Sequence, residues 1–144
     1  HRNIRFAGHI CFPGGRVDPS DESAIATALR ESEEEIALDP AEVDVLGALG
    51  DYYTQAGYRI TPVVGLVSTN VTLSANPSEV EAIYRISLAD MLRSQSYRLR
   101  HRTPTRGHYS YEEKDIRIAG PTVSLMIGLY ESLLAFQAST ISAK

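Results

Sequence analysis

Ile25, Ala28, Leu29, Ser32 and Ile36 fall on one face when the chain is wound at about 3.6 residues per turn, with charged residues between them. That spacing predicts a helix over Glu22–Ala37 whose less polar face packs on a sheet. Asp18, Ser20 and Asp21 are all suited to cap its start, and Asp21 is the expected cap. Asp39-Pro40 should close the segment, because a residue before proline disfavours the helical region. Apolar runs predict strands over His1–Phe12, ending in Ile10-Cys11-Phe12, and over Val43–Leu49, Tyr58–Val67 and Ala82–Ile86. Pro13-Gly14-Gly15 breaks the first run as a turn, and Pro77–Glu81 reads as a polar loop. Leu88–Arg93 reads as a short helix and Arg98–Gly107 as a mobile, arginine-rich loop. Tyr109–Tyr111 and Ile116–Ile118 should pair around Glu112–Asp115, and Pro121 should start a final helix carrying Val123–Gln137. The order of strand, helix, several strands and helix predicts an α/β sandwich with a mixed sheet between helices.

Composition narrows the function classes. The sequence has 144 residues, read as one domain over 1–144, with an ordinary globular balance of 43% hydrophobic and 22% charged residues. No run approaches the roughly 18–20 apolar residues of a membrane span, so no membrane partner is expected. The net charge of −4 argues against a nucleic-acid partner. His1–Phe12 lacks the apolar block of a signal peptide. Cys11 is the single cysteine, so no internal disulfide forms, which suits a reducing cytoplasm; it is expected to be a buried small hydrophobe.

The candidate chemistry lies on the first helix. Glu31, Glu34 and Glu35 stand at i, i+3 and i+4, which gathers their side chains away from the apolar face. Like charges so close repel, and a hard divalent cation with oxygen ligands relieves that repulsion. Magnesium characteristically takes one or two carboxylates together with substrate phosphates. A bare glutamate stripe is ordinarily a solvated surface; the Gly14-Gly15 turn before it and Arg30 beside it change that reading. Glycines let the backbone approach a ligand, and arginine orients carboxylates through charge-assisted hydrogen bonds.

In these residues the chain resembles the Nudix hydrolase family. Gly15, Glu22, Arg30, Glu31, Glu34, Glu35 and Leu38 occupy that family's patterned positions. Three departures stand out: one extra residue between Gly15 and Glu22, Ser32 in place of an apolar residue, and Ala37 in place of a glycine. Gly8, Phe12, Pro13, Gly14 and Gly15, with Asp18 and Asp21 following, are similar to the family's coenzyme A pyrophosphatase branch, in which the extra residue is usual. Thr27-Ala28-Leu29-Arg30-Glu31 and Gly57-Tyr58-Arg59-Ile60-Thr61-Pro62-Val63-Val64 extend the likeness. That branch has an arginine where Ile4 stands, and a preceding element and first strand that would fall before His1.

The resemblance implies hydrolysis of a pyrophosphate linkage with Mg2+ or Mn2+, most specifically of coenzyme A or acyl-CoA to 3′,5′-ADP and (acyl-)4′-phosphopantetheine. Glu31, Glu34, Glu35 and Gly15 would hold metal, and Glu34 or Glu35 would be the base, with Arg30 orienting them. Gly14, Gly15, Arg16 and Tyr58 would contact substrate, and Glu22 and Glu79 are further candidates. The implied partner is a small nucleotide-like molecule, and a homodimer is compatible. ADP-ribose, a dinucleotide or a nucleoside triphosphate is the alternative substrate; a Nudix-fold binding module without catalysis is the alternative class. His1, His9, His101 and His108 show no metal-ligand spacing. Arg98, Arg100, Arg102 and Arg106 could grip a 3′-phosphate, although a solvated loop is the default, and Tyr52, Tyr53 and Tyr58 could stack on an adenine or simply pack.

Overall fold

The computed structural model of the chain describes residues 9–103 and 106–142, the side chains of 101–107 and 140–142 excepted. Its contacts divide it into two compact units, one over residues 12–85 and one over 9–11 with 86–142.

The first unit carries α1 (Ala24–Ile36), β1 (Val43–Ala48), β2 (Tyr52–Tyr53), β3 (Arg59–Ile60) and β4 (Val63–Val67). The helix forms where its periodicity predicts, but Ser23, not Asp21, caps it: the Ser23 hydroxyl accepts from the Ala26 amide. Asp21 is displaced from that role because its carboxylate is engaged by Arg30. The helix ends at Ala37, held in the left-handed region at φ 55° while its amide donates to the Glu33 carbonyl. β1 and β4 pair antiparallel, Val43 opposite Val67, and an irregularity between Val45 and Gly47 bends the ladder. Gly65 sits where a β-carbon would strike the Val43 side chain, so the pair closes only around glycine. The single strand expected over Tyr58–Val67 is two strands. Pro62 lacks an amide donor; its carbonyl instead accepts from the Leu49 amide, and the chain passes from the β2–β3 pair to the β1–β4 pair there.

The second unit carries α2 (Leu88–Met91), β5 (Tyr97–Thr103), β6 (Arg106–Glu113), β7 (Ile116–Ile118) and α3 (Pro121–Ser142). The strands form one antiparallel sheet, β5–β6–β7, with Tyr111 opposite both Tyr97 and Ile118. Alternation sends Tyr97, Tyr111 and Ile118 to one face and Arg98, Ser110, Glu112 and Arg117 to the other. Met91, Tyr111, Ile118, Val123 and Met126 make the core, with Ile10, Ile86 and Tyr97 packed against it. Pro121 does begin the last helix, which runs past the expected Gln137.

Several expectations need correction. Residues 98–103 and 106–107 are strand, not loop: they belong to the two strands of a hairpin, in which Glu112 across the ladder pairs with Arg98 and Arg100. Ala82–Ile86 forms no strand; its apolar residues signal burial of Ile86 rather than a ladder. Ile10-Cys11-Phe12 forms none either, and Cys11 is exposed rather than buried. The α/β class stands, but every strand pairing among the described residues is antiparallel, so the expected mixed sheet finds no parallel pair there. Gly8 and the rest of 1–8 lie outside the described residues, as do the side chains of His101, Arg102 and Arg106.

Candidate functional site

Arg30 organises the site from the middle of α1. Its Nε donates to Asp21 Oδ1 and its Nη2 to Asp21 Oδ2, both at 2.9 Å, a two-pronged ion pair. Asp21 also accepts from the Asp18 amide and the Thr27 hydroxyl, each at 2.8 Å. Its side chain is only 5% exposed, so this pair is well shielded from water. The Arg30 hydrogen bonds, first among several, hold the Asp21 carboxyl well below the usual carboxylate range. The arginine's remaining donors reach the Arg16 carbonyl at 3.1 Å, Glu31 Oε1 at 3.1 Å and Glu34 at 3.4 Å. One guanidinium therefore ties the turn before the helix to two of its glutamates.

The turn also lies directly on the glutamate face. The Gly14 amide donates to Glu35 Oε2 at 3.2 Å. A β-carbon at Gly15 would fall inside the Glu31 carboxylate, so only glycine admits that approach. Any larger residue there would push a flexible carboxylate aside, displacing the candidate ligand before disturbing the backbone. Arg16 donates from Nη2 to the Tyr58 hydroxyl at 2.9 Å, with its guanidinium carbon 5.5 Å from the ring centre. Two residues named independently as substrate contacts are thus brought together. Glu22 is exposed, and among the described residues no side-chain hydrogen bond or ion pair joins it to the cluster.

A second segment approaches the far end of α1. The Asn76 amide donates to the Glu35 carbonyl at 2.9 Å, and its side-chain Nδ2 to the Glu34 carbonyl at 3.2 Å. The Ser74 amide donates to the Ile36 carbonyl at 3.0 Å. These bonds satisfy carbonyls that a helix end leaves open. The Asn76 carbonyl then accepts from the Glu79 and Val80 amides, and its Oδ1 from Ser78. Burial pushes the Glu35 carboxyl up, and the charges of Glu31, Glu79 and Glu34 push it further, against the Gly14 hydrogen bond. The charge of Glu79, a loop acid from another segment, thus acts on Glu35.

The sequence reading missed Asn76, Thr27 and the clamping role of Asp21. Asn76-Pro77 carried a turn signal; nothing in the chain announced that the turn would dock on a helix end.

Among the described residues, no three His, Cys, Asp or Glu side chains are already converged as a metal-binding group. The donor chemistry nevertheless fits a hard divalent cation: burial and the charges of Glu31, Glu79 and Glu34 push the Glu35 carboxyl up, and added positive charge would offset that repulsion. Glu34, with a side chain 52% exposed, is the most open to an incoming ligand of the two glutamates that Arg30 touches. His9 and His108 are exposed and stand outside this cluster. Among the described residues, no helix is long and apolar enough to cross a membrane.

Comparison with known proteins agrees with the geometry. The NUDIX domain family matches residues 1–106. A protein of Yersinia enterocolitica named uncharacterized Nudix hydrolase NudL is 45% identical over 93 residues, covering 65% of this chain and 48% of that protein. The protein of the same name from Photorhabdus laumondii is 46% identical over 91 residues, covering 63% and 49%. That from Yersinia pestis is 44% identical over 93 residues, covering 65% and 47%. The chain spans about half the length of the curated relatives it matches.

Proposed function

The chain belongs to the Nudix family, and from that premise we propose that it hydrolyses a pyrophosphate linkage in a nucleoside diphosphate derivative with the help of Mg2+ or Mn2+. The substrate we assign is coenzyme A or acyl-CoA, cut to 3′,5′-ADP and (acyl-)4′-phosphopantetheine. The observation that carries the reading is the docking of the Gly14-Gly15 turn on the glutamate face, Gly14 on Glu35 and Gly15 against Glu31, under one arginine. The substrate assignment draws support from the likeness of Gly14, Gly15 and their neighbours to the coenzyme A branch.

Glu31, Glu34 and Glu35 would hold the cation, with the Gly15 backbone beside them. A bound divalent ion supplies positive charge against the phosphoryl oxygens and makes water more acidic. In the reaction, a water oxygen forms a bond to phosphorus as the bridging P–O bond breaks. The bridging oxygen departs with the electron pair on the second phosphate. Glu34 or Glu35 takes the proton of the attacking water. Arg30 holds Glu31 and Glu34 in place and takes no proton itself. Arg16 and Tyr58, already paired, offer a cation and an aromatic face to the phosphate and base of a nucleotide.

The test is to incubate the protein with coenzyme A, an acyl-CoA, ADP-ribose and a dinucleotide, each with magnesium or manganese, and to resolve the products. Release of phosphopantetheine from coenzyme A is expected. The double variant Glu34→Gln, Glu35→Gln should lose about 10²–10⁴-fold in turnover, a typical loss with a catalytic carboxylate, while its circular dichroism stays native. Unchanged turnover in that variant overturns the assigned roles. Cleavage of ADP-ribose but not coenzyme A overturns the substrate alone.

A further inference from the structure

The outer face of the β5–β6–β7 sheet concentrates positive charge in a chain whose net charge is −4. Arg98, Arg100 and Arg117 all turn to one carboxylate, Glu112: Arg98 Nε at 3.1 Å, Arg117 Nε at 3.5 Å, and Arg100 through Nη2. Arg100 Nε also donates to the Ser110 hydroxyl at 3.2 Å, and that hydroxyl reaches Glu112 at 3.1 Å. A carboxylate has about four lone-pair sites, and these groups fill Glu112. Each guanidinium carries about five N–H donors, most of which therefore face water. Arg98 and Arg117 are 60% and 67% exposed, so their forks stay accessible.

An open cleft of about 480 Å³ lies on this face, lined by Arg100, Glu112, Lys114, Asp115, Ile116 and Arg117. Lys114 adds a cation at its rim, from a backbone position with φ 54°. Among the described residues only Ala37 and Lys114 hold a left-handed backbone without being glycine. That conformation belongs to the two-residue turn that joins β6 to β7 and places Lys114 in the lining of the cleft.

We propose that this face binds a phosphate-bearing anion, held by the forks of Arg100 and Arg117 and by the Lys114 ammonium, with Glu112 as the built-in counter-charge that keeps the arginines gathered. The site lies wholly within the second unit and is independent of the glutamate helix. Its ligand is defined by the phosphoryl group: planar guanidinium forks match its oxygens two at a time.

The experiment follows backbone amide shifts while the protein, stripped of divalent ions, is titrated with inorganic phosphate and then with pyrophosphate. Without a divalent ion the glutamate helix repels both probes, so the two sites do not mix. Saturable shifts centred on Lys114 and Arg117 are expected. Lys114→Gly should bind roughly tenfold more weakly while melting no lower, since glycine relieves the left-handed strain; Arg117→Gln should weaken binding similarly. Glu112→Gln separates the proposal from a merely structural charge ladder. Removing the counter-charge should tighten phosphate several-fold even as it loosens the strand pairs. Absence of saturable shifts in the wild type, or Glu112→Gln binding no tighter, overturns the site. Competition between phosphate and a phosphate monoester tells a free anion from one carried on a larger molecule.

Discussion

Ala37 shows what one side chain can cost. At its φ of 55° the methyl group crowds the following carbonyl, a strain that glycine escapes. The family pattern has glycine at this position, and the sequence departs from it. Ala37→Gly should stabilise the protein by about 0.5 kcal/mol, the relief of strain less the added freedom of the unfolded chain. Urea unfolding checks this; a lowered midpoint would show that the helix exit tolerates alanine without strain. At the same scale, the gathering of the three acids on one helix face was legible from spacing, because helix geometry is local, while their candidacy as a site also needed the glycine turn, Arg30 and the family resemblance. Asp21 was misread as a cap for an equally plain reason. A cap and an arginine's partner call for the same residue type, and only the fold brings Arg30 within 2.9 Å.

At the scale of elements, the C-terminal half of α1 is fastened by two segments that approach it from elsewhere in the chain: the glycine turn at the Glu31 and Glu35 side chains and the 74–80 turn at the Glu34, Glu35 and Ile36 carbonyls. Asn76 joins these carbonyls to the Glu79 turn through its backbone and side chain together. Asn76→Ala keeps the backbone bonds but loses Nδ2 to Glu34 and the Ser78 contacts. It should cost about 1 kcal/mol in stability and weaken magnesium or manganese uptake, read by calorimetry. Unaltered metal uptake in a folded variant would reduce the turn to a plain helix cap. The β5–β6 hairpin carries the opposite lesson. Its polar composition hid a strand pair, since composition reports solvent exposure while pairing depends on which residues lie opposite.

For the whole molecule, acid acts on carboxylates in both units, whereas the alkaline effect of Tyr97 lies in the second. In the first unit, Arg30 holds the Asp21 carboxyl below its ordinary 3.8. The unfolded chain therefore binds a proton first as pH falls, so stability from this pair is complete above the ordinary value and drains away below it. In the second unit, Arg100 lowers Glu112 in the same direction, while burial pushes the Tyr97 hydroxyl up to about 12. That hydroxyl donates to the Met91 carbonyl at 2.6 Å. A raised tyrosine favours folding below its ordinary 10.0 and loses that contribution as pH climbs toward about 12. Tyr97→Phe should flatten the alkaline limb between those values, and Asp21→Asn should flatten the acid limb; unfolding midpoints across pH read both. A Tyr97→Phe profile with the wild-type alkaline slope would assign that limb to other groups.

By itself the chain determined its class, its first and last helices, the β1 strand and a hairpin turning within Glu112–Asp115, along with the acidic stripe. Each rests on interactions between residues a few positions apart, where periodicity and turn chemistry act directly. The tertiary structure alone decided that Gly14 meets Glu35, that Asn76 closes the helix end, that Arg30 takes Asp21, and that three arginines converge on Glu112. Those are encounters across long stretches of chain, set by which surfaces the packing brings face to face.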